Sequence, residues 1–92
     1  AWALQSPAQR GLLLFRLADL LDQHREELAQ LITLENGKPI ANARGEAASA
    51  ANIIRYFAGW PTKIEGSTLP VSPASGAPML NYTLREPVGV CA

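Results

Sequence analysis

Apolar positions recur at steps of three and four through most of the first 58 residues, and at steps of two only around residues 80–84. The first pattern predicts helices and the second a half-buried strand. Ser6-Pro7-Ala8-Gln9 opens the first helix: the Ser6 hydroxyl can accept from the Gln9 amide, Gln9 can reach back to Ser6, and Pro7 suits the first helical position. This helix is expected over 7–23, with Leu13, Leu17, Leu20 and Leu21 facing inward and Leu14 and Ala18 beside them. A second helix is expected over 25–35, burying Leu28, Leu31 and Ile32 and carrying Glu26 and Glu27 in its first turn, where the helix dipole favours acids. Gly37 stops it in a left-handed turn, and Pro39 can open a new helix but not continue the old one. The third helix, 39–58, is about 30 Å long if each residue adds about 1.5 Å. Its Ala43, Ala47, Ala50, Ala51 and Ile54 form a shallow face that another helix or a sheet must cover at close range.

From Gly59 onward Gly, Pro and Ser interrupt the pattern, and 71–78 reads as an exposed loop. Residues 79–85 alternate loosely, placing Leu80, Tyr82 and Leu84 on one side as a half-buried strand does, with 64–71 as its partner. Residues 88–92 are continuously apolar, the character of a strand buried on both faces. The chain begins at Ala1-Trp2 without Met and stops inside this apolar run, so both ends are expected to be cuts in a longer polypeptide.

Composition narrows the partners. Eight Lys and Arg balance eight Asp and Glu, so no long-range field attracts nucleic acid or an anionic membrane. The longest apolar run, residues 11–15, is far shorter than the roughly 20 residues of a membrane span, and the start lacks the basic and apolar regions of a signal peptide. A single cysteine forms no internal disulfide, which fits a reducing cytoplasm. Ninety-two residues bury only about 60–65% of their unfolded surface, so the core is expected to be thin.

Three segments read together change the picture: Leu34-Glu35-Asn36-Gly37-Lys38-Pro39, then Arg55-Tyr56-Phe57-Ala58-Gly59-Trp60, then Arg85-Glu86-Pro87-Val88-Gly89-Val90-Cys91. In this order and spacing the chain resembles the N-terminal region of the NAD(P)-dependent aldehyde dehydrogenase superfamily over essentially residues 2–92. The resemblance implies an α/β parent fold, of which this piece supplies three helices, strands of an oligomerisation arm and the start of a sheet strand. It divides the chain into a helical part of the cofactor-binding domain (1–60), the loop and strands of the arm (61–86) and a strand re-entering the cofactor-binding domain (87–92). It also implies an intact enzyme that uses NAD or NADP to oxidise a small aldehyde through a cysteine thioester, with the nucleophile and the glutamate base downstream. The piece alone is expected to be inactive and to bind no cofactor. Its implied partners are the remainder of the same polypeptide and further copies of the chain, as a dimer or tetramer joined through residues 66–86.

Individual residues carry less chemistry than the segments. Glu35 has a structural reading, as part of a helix stop followed by a helix start; the resemblance adds a second, one oxygen ligand of a monovalent cation, with the other ligands outside this chain. A hard cation needs several oxygens, so Glu35 alone makes no site. Cys91, in an apolar strand, is expected to be structural and buried rather than a nucleophile. His24 reads as a solvated helix-end residue, and no second His or Cys is present to complete a metal pair. Tyr56, Phe57 and Trp60 read as core, and Arg55 as a partner of Glu46, Glu65 or groups elsewhere in the parent. The glycines at 59, 66, 76 and 89 form no phosphate-binding fingerprint. A rival reading, a non-enzymatic helical interaction module, uses the same apolar helix faces to bind a partner protein.

Overall fold

The computed structural model describes residues 2–91, so Ala1 and Ala92, the outer ends of the expected helical part and of the expected last strand, lie outside it. Three helices follow a short 3-10 turn at Trp2–Leu4: α1 (Pro7–Gln23), α2 (Arg25–Asn36) and α3 (Ile40–Ala58). Two short strands, β1 (Thr68–Leu69) and β2 (Asn81–Tyr82), pair antiparallel with Thr68 opposite Tyr82 and Leu69 opposite Asn81.

The helix ends obey local chemistry. Ser6 Oγ accepts from the Gln9 amide at 3.2 Å and Gln9 Oε1 accepts from the Ser6 amide at 3.0 Å, a complete capping box with Pro7 just inside it. Gly37 adopts φ 73°, ψ 15° and its amide closes onto the Thr33 carbonyl at 2.9 Å, while Asn36 Oδ1 accepts from the Lys38 amide at 3.0 Å. A left-handed residue with these bonds satisfies the helix's last carbonyls. Pro39 precedes α3 rather than opening it, and its carbonyl accepts from Asn42 and Ala43.

α3 folds back along both other helices, which scarcely touch one another. Contacts run in opposite directions along the pair: Gly11 meets Ala58, Arg55 meets Asp19 and Asp22, and Arg44 meets Glu26. The seam is made of small residues. Ala43, Ala47, Ala51 and Ala58 of α3 are buried, facing Ala18 and Gly11 of α1 and Ala29 of α2. Small side chains on facing ridges let helix backbones approach closely. A methyl group on Gly11 would lie 2.7 Å from the Ala58 carbonyl oxygen, so α1 and α3 approach closely there.

The covered stripe of α1 is not the expected one. Gly11, Leu14, Ala18 and Leu21 turn toward α3, Leu14 and Leu21 being half-buried, whereas Leu13, Leu17 and Leu20 are exposed. Similarly Ala29 of α2 is buried with Leu28 and Ile32 half-buried, and Leu31 is exposed. The physical reason is partner shape: α3 offers alanines, which fit a small-residue face, and no other element among the described residues covers the leucines. Val88 and Val90 are 95% and 103% exposed and residues 88–91 form no strand, because a strand buried on both faces needs neighbours that these residues do not supply.

Candidate functional site

Two regions carry the functional expectations: the turn between α2 and α3, and the hairpin formed by β1 and β2. At the turn, Glu35 occupies the last turn of α2 and is exposed. Two residues earlier, the Thr33 hydroxyl is buried without a hydrogen-bond partner. At about 100° per residue the two side chains leave the helix on nearly opposite sides, so they do not converge. Among the described residues no three His, Cys, Asp or Glu side chains gather in a group able to hold a metal ion. Glu35 by itself therefore does not fit the oxygen shell that a hard cation requires.

The turn is held by charge instead. Lys38 pairs with Glu46, across the start of α3. Arg44 grips Glu26 with both a Nε–H at 2.9 Å and an Nη2–H at 2.7 Å, tying α3 to α2. That hydrogen bond, more than charge alone, holds the Glu26 carboxyl below the ordinary glutamate range and raises the Arg44 guanidinium. Arg55 ties α3 to α1 through Asp19 at 2.9 Å and Asp22 at 2.5 Å, and these hydrogen bonds raise its pKa. Neither Glu46 nor Glu65 is its partner: Glu46 is taken by Lys38, and the antiparallel run of α1 brings two aspartates to Arg55. His24 is exposed and bonded to Glu27 at 3.0 Å, the solvated helix-end role expected of it.

The hairpin leaves the helical body after the turns at 60–63. Its ladder is narrower than the expected strands 64–71 and 79–85, and both strands are exposed. Beyond the two paired positions, the Thr83 amide donates to the Ser67 carbonyl at 2.9 Å, the Ser67 amide donates to Thr83 Oγ1 at 2.9 Å, and Arg85 Nε donates to the Glu65 carbonyl at 3.1 Å. The aromatic group at the end of α3 is exposed rather than buried: Tyr56 meets Phe57 edge-on at 5.2 Å and Trp60 at 6.0 Å. Cys91 is also exposed, against the expectation of a buried thiol, for the same want of strand neighbours.

A capped helix pair broken by a left-handed glycine, an alanine-seamed return helix and a projecting hairpin together make up the fold. A sequence profile of the aldehyde dehydrogenase family matches residues 1–92. The chain belongs to that family. DhaS of Bacillus subtilis (strain 168) is 52% identical over 90 residues, which are 97% of this chain and 17% of that protein. An aldehyde dehydrogenase of Aspergillus niger is 43% identical over 91 residues, 99% of this chain and 18% of its own length. An NAD-dependent aldehyde dehydrogenase from Sinorhizobium meliloti superimposes with a TM-score of 0.68 at 46% identity, covering 71% of this chain and 13% of that one. An E. coli NADP-dependent enzyme gives a TM-score of 0.71 at 38% identity, covering 79% and 15%. The chain thus spans less than a fifth of each of these four proteins, and its three helices and two-stranded sheet correspond to the N-terminal region of the aldehyde dehydrogenase fold.

Proposed function

We propose that these residues are the N-terminal portion of an NAD(P)-dependent aldehyde dehydrogenase that oxidises a small aldehyde to a carboxylic acid, and that their own part in it is structural. The family match along the whole chain carries this reading, and NAD or NADP follows from what the two solved relatives use. Residues 1–60 pack on the cofactor-binding domain, 61–86 form an oligomerisation arm, and 87–92 lead into a strand whose neighbours lie elsewhere in the polypeptide. The chemistry, a cysteine thiolate attacking the aldehyde with hydride passing to NAD(P)+ and the thioester then hydrolysed, belongs to residues outside this chain. We read the enzyme as cytoplasmic; among the described residues no helix is long and apolar enough to cross a membrane.

The full-length protein, incubated with simple aldehydes and either NAD+ or NADP+, should reduce one of the cofactors. Failure with both across a panel of aldehydes would remove the enzymatic reading. For the arm, Thr83→Pro deletes the Thr83 amide that donates to Ser67 and should lower the oligomer mass seen by light scattering. An unchanged mass in a folded variant, or a monomeric parent, would overturn the assembly role. Glu35 is proposed as one ligand of a monovalent cation whose remaining oxygens come from the rest of the enzyme. Calorimetric titration of full-length protein with potassium and sodium should lose its signal in Glu35→Gln, and equal binding by the variant would refute the assignment.

A further inference from the structure

Resting on the reading of the hairpin as an assembly arm, we infer that the side chains of Thr83 and Arg85 splice this arm to the helical body and fix the direction in which it leaves. Hydrogen-bonded pairs alternate along an antiparallel ladder. With Leu69 opposite Asn81, the next such pair toward the body is Ser67 with Thr83, and the one after it Glu65 with Arg85. Neither is a regular rung. At the first, the Thr83 amide reaches the Ser67 carbonyl at 2.9 Å, but the returning bond from the Ser67 amide ends on the Thr83 hydroxyl, also at 2.9 Å, instead of the Thr83 carbonyl. That carbonyl is turned onto Gly66, where a Cβ would stand 1.9 Å from its oxygen. At the second, the Glu65 carbonyl accepts from Arg85 Nε at 3.1 Å, a side chain in place of a backbone amide.

Two consecutive rungs are therefore completed by side chains where the two strands come together at the body. The backbone is bent out of ladder geometry there, and the hydroxyl and guanidinium supply the bonds that the bend removes. Without them only the Thr83 amide bond would hold 65–67 to 83–85, and the base of the arm could splay. The Arg85 side chain also lines the groove at this base together with Trp60, Lys63, Ile64 and Glu65, so the splice sits against the end of the helical body. Gly66 is the matching requirement on the opposite strand, since any larger residue would drive the strands apart.

The test uses the full-length enzyme with Thr83→Val, which keeps the shape and removes the hydroxyl, Thr83→Ser, which keeps the hydroxyl, and Arg85→Met, which keeps the length and removes the donor. Hydrogen exchange is followed by mass spectrometry on peptides covering 65–69, and oligomer mass by light scattering over a dilution series. Thr83→Val and Arg85→Met should each speed exchange about fivefold, the effect of losing one hydrogen bond of ordinary net strength, while Thr83→Ser stays near the parent. Wild-type exchange in both Thr83→Val and Arg85→Met would overturn the splice, as would a Thr83→Ser variant as fast as Thr83→Val. Faster exchange with an unmoved dilution curve would uphold the splice and instead remove the arm from the subunit interface. If Thr83→Val does not fold, Arg85→Met decides the matter by the same exchange readout, because its side chain lies on the surface.

Discussion

A methyl group added to Gly11, Gly37 or Gly45 would meet three different situations. At Gly11, inside α1, it would sit 2.7 Å from the Ala58 carbonyl, so the gain of about 1 kcal/mol in helix propensity is opposed by overpacking of about 1–3 kcal/mol. Gly11→Ala should be net destabilising. At Gly37 there is open space, but φ is 73°, so the substitution is strained by about 1 kcal/mol without touching a neighbour. Gly45 lies within α3 with nothing inside 4 Å, and Gly45→Ala should stabilise by about 1 kcal/mol. Urea unfolding midpoints of the three variants, measured side by side, should fall, fall and rise. A rise for Gly11→Ala would mean that the helix contact is looser than its geometry indicates. Only the Gly37 result is legible from sequence, because Pro39 two residues later marks a helix boundary. The closeness of Gly11 to Ala58 joins residues 47 apart, and no local pattern reports it.

Element by element, boundaries were easier to read than faces. Caps and stops are written in neighbouring residues, so α1 matches its expected limits and α2 runs one residue longer than expected, to Asn36. Which leucine stripe is covered depends on the shape of the partner, and the alanines of α3 select the smaller one. The hairpin was legible as alternation at 80–84, but its shortness was not, since Thr83 and Arg85 replace backbone rungs with side-chain bonds. Of the candidate site, the position of Glu35 beside the Gly37 turn was legible, whereas the pairing of Arg55 with Asp19 and Asp22 was not, because it joins residues far apart in the chain.

The link between α2 and α3 is expected to be pH-dependent. Its Glu26 carboxyl, held low by Arg44, binds a proton less readily folded than unfolded, so its contribution is present above the ordinary glutamate range and is lost as the pH falls through the lowered folded value. Unfolding midpoints followed from neutral pH to about pH 3 should decline less steeply in Glu26→Gln, and less steeply in high salt, because the pair is exposed. Identical slopes for variant and parent would show that Glu26 contributes nothing.

As a whole molecule the chain is not compact. Its radius of gyration is 20.4 Å, against about 12–13 Å for a globular domain of this length. It exposes 7561 Å², where a folded monomer of 9.9 kDa exposes roughly 5,200 Å². The excess surface includes Leu12, Phe15, Leu17, Tyr56 and Phe57. The isolated 92-residue chain should therefore bind a hydrophobic dye and melt broadly. A sharp monomeric transition above about 60 °C, the upper end for ordinary mesophile domains, would show instead that it is a self-sufficient domain.

The alanine seam has a mechanical consequence. A core of leucines can absorb a small displacement by changing rotamers, but Ala43, Ala47, Ala51, Ala18 and Ala29 have no side-chain torsion to change, and burying them forfeits no rotamer entropy. Along these alanine positions the seam thus has little slack. When one end of α3 is pushed, the neighbouring helices cannot repack around it and must travel with it or separate, so α3 behaves as a rod of about 28 Å by its 19 residues, running from the Gly37 turn to the base of the hairpin.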